Sequence, residues 1–157
     1  MMNIGFTFTL LGALAIILVW VAVVDIKTFT IANGINIAVA LMAPLYWWSV
    51  GLPLWPDAAL RVGTAIGVFL LFSGAFYLGA MGGGDVKLAG ALALWFAPVA
   101  TLKLIVLMSI AGGVLTMIIL GVHRARKQEG RPEVPYGVAI AFGGLWLLAQ
   151  RFLNHFA

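Results

Sequence analysis

The sequence predicts an all-α, polytopic membrane protein with six transmembrane helices. Of its 157 residues 64% are hydrophobic and only 9% are charged, and the charged residues are separated by long uncharged runs. Soluble domains carry roughly 25% charged residues, whereas a helix needs about 20 consecutive apolar residues to cross a bilayer. These observations exclude a soluble monomer and predict one membrane-embedded domain over residues 1–157.

Each uncharged run is expected to form one span. The first has no basic residue ahead of it and is longer than the roughly 7 to 15 residues of a signal-peptide core, so we interpret it as a retained span. The fourth would reach only about 22 Å across a hydrocarbon core of about 30 Å, so it needs the residues around Asp85 to complete it. Pro98 near its far end predicts a tight hairpin with the fifth span. The expected spans are 1–24, 28–56, 62–84, 88–102, 104–122 and 134–150.

Orientation follows from the basic residues in the short connections, because the cytoplasmic side of a membrane protein collects the excess. Six basic residues fall on one side of the membrane and three on the other, so the side with six is expected to be cytoplasmic. This places the polar loop 123–133 in the cytoplasm and both termini on the other side. The loop's basic residues are expected to contact anionic lipid. The net charge of +4 is thus interpreted as an orientation signal, and no nucleic-acid partner is predicted. The larger group is Lys27, Lys87, Arg124, Arg126, Lys127 and Arg131, and the smaller group is Arg61, Lys103 and Arg151.

The residue types present also narrow the possible chemistry. The chain contains no cysteine, which excludes thiolate zinc sites, iron–sulfur clusters and cysteine nucleophiles. A metal centre is disfavoured because His123 and His155 fall on opposite membrane faces in this topology and no H-E-x-x-H pair is present. No metal site is therefore predicted.

Two of the five acidic residues adjoin long apolar runs, where an ionised side chain at mid-bilayer costs about 2.5 to 3.5 kcal/mol. Asp25 ends the first expected span and Asp85 begins the fourth, so the chain crosses twice between them and both lie on one face. Two further crossings bring the segment 135–137 to the same face. The alternatives to a functional role are that Asp25 is an acid at the membrane interface that ends a helix and that Asp85 is a helix N-cap.

Two carboxylates within hydrogen-bond distance cannot both ionise easily, so the pair shares one proton, as in aspartic proteases. The glycine run 82–84 beside Asp85 permits positive φ or the close approach of another chain, so an extended peptide could lie against it. Close helix packing is the alternative explanation for some of these glycines. The two acids and the glycines together predict an aspartic hydrolase site that requires no cofactor.

The pattern G-x-G-D, present at residues 82–85 as G-G-G-D, resembles the signature of the type IV prepilin peptidases, which have a second aspartate at the end of the first span. Asp25 occupies that place. The stretch 25–33 resembles the family's D-x-[KR] through I-P-N segment, although Ala32 stands where proline is usual. Residues 135–137 resemble a P-Y-G element near the last span. Together these matches are more specific than G-x-G-D alone.

The resemblance extends along essentially the whole chain and is closest to the short form associated with tight-adherence (Flp) pili. It implies an endopeptidase with catalytic Asp25 and Asp85 that removes the leader of a prepilin or pseudopilin at the cytoplasmic face of the bacterial inner membrane. Larger members carry a cysteine-bearing cytoplasmic region and also methylate the new N-terminus. This chain has neither, so no methyltransferase activity is predicted.

Further residues near the two aspartates are candidates for substrate binding. Lys27 and Lys87 each follow an aspartate by two positions, with interfacial snorkelling as the alternative. Asn33 and Asn36 share a helical face and could instead cap or join helices. The rival function is a non-enzymatic transporter or pilus-assembly subunit that uses the acids for ion coupling. The candidate substrate-binding residues are Lys27, Asn33, Gly82, Gly83, Gly84, Lys87, Pro135, Tyr136 and Gly137.

Overall fold

The computed structural model describes residues 4–127, 130 and 132–156, the last three by their backbone alone. Within these residues the chain forms six helices and no strand, which confirms the all-α prediction. A short π-helical turn, Leu54–Ala58, leads into the third helix. The helices are α1 Ile4–Thr28, α2 Asn33–Ser49, α3 Ala59–Tyr77, α4 Gly83–Ala93, α5 Pro98–Ala125 and α6 Tyr136–Phe156.

Four segments of the described chain are long and apolar enough to cross a membrane: Ile4–Thr28, Leu54–Tyr77, Pro98–Ala125 and Tyr136–Leu153. The remaining helices are shorter. At 17 and 11 residues, α2 and α4 reach about 26 Å and about 17 Å at 1.5 Å per residue. The structure thus supports a membrane protein with four clear candidate spans, and the count of six remains a prediction.

The boundary between the fourth and fifth helices differs from the prediction. Residues 98–102 were assigned to the fourth span, but α4 ends at Ala93 and Pro98 is the first residue of α5. Proline suits the first helical position because the missing N–H has no partner there in any helix. The link between the two helices is short, but they form no packed hairpin, because α5 packs chiefly along α6.

The short helix α4 lies in the centre of the bundle, in contact with α2, α3 and α6. Its Leu88 and Leu92 are completely buried, together with Leu18 of α1 and Ile140 of α6. The outer surfaces of α1, α3 and α5 expose large apolar side chains instead, as expected of helices that face lipid. Large apolar residues therefore occupy both the inside and the outside of the bundle, and α4 is shielded from lipid by its neighbours.

The non-helical link between α4 and α5 is buried, and side chains satisfy its backbone. Trp47 Nε1 donates to the carbonyl of Leu94 at 2.9 Å, and Arg61 Nη1 donates to the carbonyl of Trp95 at 2.7 Å. The Trp95 indole in turn donates to the carbonyl of Val39 at 2.9 Å. Irregular backbone is tolerated at membrane depth only where protein groups replace water in this way.

The predicted polar loop 123–133 begins inside a helix, because α5 continues to Ala125. His123 then contacts the loop through a 3.0 Å hydrogen bond between its Nε2 and the carbonyl oxygen of Gly130. The basic residues Arg124, Arg126 and Lys127 are exposed at this end of the bundle. Arg131 and the side chain of His155, both used in the topology prediction, lie outside the described residues.

Candidate active site

Asp25 lies in the last turn of α1 with its carboxylate turned into the bundle, where only 2% of the residue is exposed. The backbone N–H of Val138 donates to Oδ2 at 3.3 Å, and the N–H of Gly137 also faces the carboxylate. Both donors belong to the first turn of α6. The N-terminus of a helix carries partial positive charge from its unpaired N–H groups. Asp25 therefore sits where the fold favours a negative charge.

Asp85 is the third residue of α4 and is 7% exposed. Its Oδ2 accepts a 3.2 Å hydrogen bond from the backbone N–H of Gly82, the N-cap residue. Asp85 therefore does cap the helix, as the alternative interpretation expected, but it does so from the N3 position and not as the N-cap residue. Its other oxygen, Oδ1, is buried and has no hydrogen-bond partner among the described residues. Capping therefore accounts for only one half of this carboxylate.

The glycine run is enclosed on three sides, and its members do not adopt positive φ. A Cβ at Gly82 would lie 2.8 Å from Asp85 Oδ2, and one at Gly83 would lie 3.3 Å from the ring of Phe76. A Cβ at Gly84 would lie 3.0 Å from the backbone oxygen of Ile31. The glycines allow the start of α4 to approach the connector between α1 and α2.

Ile31 lies between the start of α4, which holds Asp85, and the start of α6, which approaches Asp25. Besides its contact with Gly84, its Cδ1 would lie 2.8 Å from a Cβ at Gly137, and that same Cβ would lie 2.7 Å from Asp25 Oδ2. The side chain enters the bundle after Phe29, whose φ of +51° follows the end of α1. The charges of Asp25 and Asp85 interact across this region. Both acids thus occupy one small site.

From the sequence alone, Ile31 was noted only as part of the stretch 25–33 and was assigned no role of its own. One signal was present: Ile31 is a large apolar residue in a connector whose neighbours include Thr28 and Thr30. It is only 8% exposed, unlike Phe29, which is largely exposed. An aliphatic residue in the short polar connector that follows a candidate catalytic acid was therefore a usable indication of a packed site.

Asn36 joins α2 to the same site. Its Nδ2 donates to the carbonyl of Gly84 at 3.1 Å, and the residue is buried. Of the roles considered for this asparagine, interhelical bonding describes its observed contact. The carbonyl of Gly84 belongs to the first turn of α4, so the bond fixes the helix start that carries Asp85.

Lys87 and Asn33 are not brought to the aspartates. Lys87 Nζ donates to Asn33 Oδ1 at 2.8 Å, and both residues are exposed. Two positions along a helix correspond to a rotation of about 200°, so Lys87 points away from the face that carries Asp85. The pair lines a separate groove of about 570 Å³ between α2, α3 and α4. Lys27 is exposed at the end of α1.

The segment 135–137 reaches the site through one residue. Pro135 is buried before α6, and its carbonyl accepts the Val138 N–H at 3.2 Å. The side chain of Tyr136 turns toward α5, where its hydroxyl lies 3.4 Å from Thr116 Oγ1. Only Gly137 contacts Asp25 directly. The close approach shows why no side chain fits at this position: a Cβ would collide with the carboxylate.

The fold and this site define an all-helical membrane protein with two buried, interacting acids at one end of its bundle. More specifically, the chain belongs to the type IV leader peptidase family, because a model of that family matches residues 12–117. The protein is therefore a peptidase. Asp25, Ile31 and Asp85 lie within the matched residues, whereas the segment 135–137 lies beyond them. No curated protein and no solved structure matched the chain.

Proposed function

We propose that the protein is an aspartic endopeptidase with Asp25 and Asp85 as its catalytic residues. The observation that carries this proposal is the burial of both acids at one end of the bundle, inside the region that matches the peptidase family. Burial of two acids in contact with each other's charge costs free energy, and such an arrangement is typical of catalytic sites. The unpartnered Oδ1 of Asp85 supports the same assignment.

The reaction follows from a pair of carboxyl groups that hold one proton. The ionised carboxylate takes a proton from water while the water oxygen bonds to the scissile carbonyl carbon. The protonated partner donates a hydrogen bond to the developing oxyanion. Transfer of a proton to the leaving amine then breaks the C–N bond and gives a new carboxyl and a new amino terminus. The chemistry requires no metal and no cofactor.

The substrate is proposed to be a prepilin or pseudopilin of the Flp type. Cleavage would occur at the cytoplasmic face of the bacterial inner membrane, between a short basic leader and the apolar pilin helix. Gly82 and Gly137 bring backbone close to the carboxylates of Asp85 and Asp25, so these glycines, with Gly84, are proposed to border the peptide during cleavage. Lys27, Lys87, Asn33 and Tyr136 are not proposed as cleft residues, because their positions do not support contact with the scissile bond.

A cleavage assay tests this proposal. Purified protein in bacterial lipid vesicles would be incubated with candidate Flp-type prepilins, and leader removal followed as a gel shift. Asp25→Asn and Asp85→Asn should each lower the cleavage rate by at least about 100-fold, because acid–base catalysis contributes roughly 10² to 10⁴. Asp57→Asn is the matched control, since Asp57 is an exposed acid at the other end of the bundle.

Three results would contradict the proposal. Normal cleavage by either Asn variant would remove that aspartate from the mechanism. Equal loss in the Asp57 variant would indicate a general effect of charge. Proton or ion flux through the vesicles, with no cleavage of any prepilin, would favour the transporter function instead. Circular dichroism and membrane extraction of each variant show whether it is folded and inserted.

A further inference from the structure

A second cavity, of about 560 Å³, lies at the end of the bundle opposite the aspartates. It is enclosed by the first turns of α1 and α5, the start of α3 and the end of α6. Its lining contains Arg61, Lys103, Gln150 and Arg151. Three basic side chains, each from a different helix and far apart in sequence, therefore meet at one cavity.

The positive charge of this cavity is poorly compensated. The chain has only five acids, of which Asp25 and Asp85 are at the other end and Glu129 and Glu133 fall in the sequence between α5 and α6. Asp57 interacts with Arg61, but Arg61 also experiences the like charge of Arg151. Three cations against one acid leave a net positive field, and like charges attract an anion that lies between them.

Two of the cations are held in place by aromatic residues of the core. Arg61 is 9% exposed, and one of its five N–H groups is used by the 2.7 Å bond to the carbonyl of Trp95. The guanidinium of Arg151 lies 5.0 Å from the centre of the Tyr46 ring. Side chains fixed in this way lose little further entropy when they bind a ligand. The donors are therefore arranged before any ligand arrives.

Apolar side chains form the rest of the lining, among them Phe8, Leu11, Phe96 and Leu147. A ligand that satisfies both parts must have an anionic group and an apolar chain. A guanidinium pair matches the geometry of a phosphate, and the bilayer supplies amphiphiles of this kind to the surface of the bundle. We propose that the cavity binds one anionic phospholipid, with its phosphate among Arg61, Lys103 and Arg151 and an acyl chain along the apolar wall.

The test is lipid binding to the delipidated full chain in detergent, measured by native mass spectrometry. Phosphatidylglycerol should be retained in preference to phosphatidylcholine. Lys103→Gln and Arg151→Gln should each weaken its binding about fivefold, and the double variant about 25-fold, since a lipid-facing cation contributes roughly 1 kcal/mol. Lys27→Gln is the matched control, because it removes the same charge from an exposed position at the opposite end of the bundle.

Three outcomes would overturn the assignment. They are equal binding of the two lipids, equal loss of phosphatidylglycerol in the Lys27 variant, and retention of the lipid by the double variant. Inorganic phosphate is the further probe, because it shares the headgroup chemistry. Thermal stabilisation by phosphate as large as that by the lipid would indicate a small-anion site and exclude the lipid. Lys103 is exposed, so its single variant gives a result even if the Arg151 variants do not fold.

Discussion

The two ends of α4 are built in opposite ways. At the tryptophan end, defined by Leu94 and Trp95 with Trp47 and Arg61, large side chains fill the space and donate to the backbone carbonyls of Leu94 and Trp95. At the aspartate end, defined by residues 82–85 with Asp25, Ile31 and Gly137, glycines take the place of side chains. There one carboxylate oxygen remains buried without a partner.

The two ends of this helix of 11 residues therefore differ in role: the tryptophan end stabilises the fold, and the aspartate end carries the candidate active site. The backbone carbonyls of Leu94 and Trp95 at the tryptophan end have side-chain donors, whereas Asp85 Oδ1 at the aspartate end has no partner among the described residues, which costs about 1 to 3 kcal/mol. We therefore expect changes at the tryptophan end to affect the free energy of unfolding. Changes at the aspartate end should affect the rate of cleavage.

Trp95→Ala should cause the largest loss. The substitution removes a fully buried indole and its hydrogen bond to the carbonyl of Val39, and such changes lower the free energy of unfolding by about 3 to 5 kcal/mol. The measurement is denaturant unfolding in detergent, with Trp48→Ala as the control because Trp48 is largely exposed. Molecules that remain folded should cleave at the normal rate. A specific loss of kcat in those molecules would break the separation.

Gly137→Ala should reduce kcat by about 100-fold, because a misplacement of 1 Å at a catalytic group has an effect of that order. The new Cβ would lie 2.7 Å from Asp25 Oδ2, so the carboxylate must move. Gly67→Ala is the matched control, since a Cβ there meets nothing within 4 Å. Both variants should unfold at nearly the wild-type denaturant concentration. Full activity in the Gly137 variant would remove this glycine from the site.

Ile31→Val should lower kcat about fivefold, because the shortened side chain loosens the contact that separates the starts of α4 and α6. The loss of one buried methylene contributes about 0.5 to 1.5 kcal/mol. Ile37→Val, at an exposed position of α2, is the control and should leave kcat unchanged. Equal effects of the two variants on kcat would show that Ile31 has no special position.

Lys87→Met should have the smallest effect, a change in kcat/KM of less than about threefold. Its ammonium pairs with Asn33 on the exposed surface, and exposed pairs of this kind contribute about 0.2 to 1 kcal/mol. Asn33→Ala removes the same bond from the other side and should behave alike. A large rise in KM for the Lys87 variant alone would restore the substrate-binding role that its sequence position suggested.

The sequence was informative about which residues share an end of the bundle. Counting apolar runs placed Asp25, Asp85 and residue 137 together, and the coordinates bring Gly137 against Asp25. The same counting grouped Arg61, Lys103 and Arg151, which line one cavity. Parity of crossings depends only on the number of runs, so it was unaffected by errors in the limits of several of them.

The sequence was less informative about where α4 stops and what surrounds the acids. Pro98 was interpreted as a helix end, and it is a helix start. Proline is favoured at the first position of a helix, where its missing N–H has no partner to lose, so this residue by itself indicated the start of α5. Contacts of Ile31 with residues 84 and 137 join parts of the chain separated by 53 and 106 positions. No local sequence pattern predicts contacts between residues so far apart in the chain.

The shortness of α4 has a consequence for biogenesis. A segment of 11 residues with an acid in its first turn is too short and too polar to be recognised by the translocon as a stable insertion unit. The flanking α3 and α5 are both long and apolar. We therefore expect α4 to enter the lipid phase only together with α3 and α5, so that Asp85 reaches its buried position only after α5 has inserted.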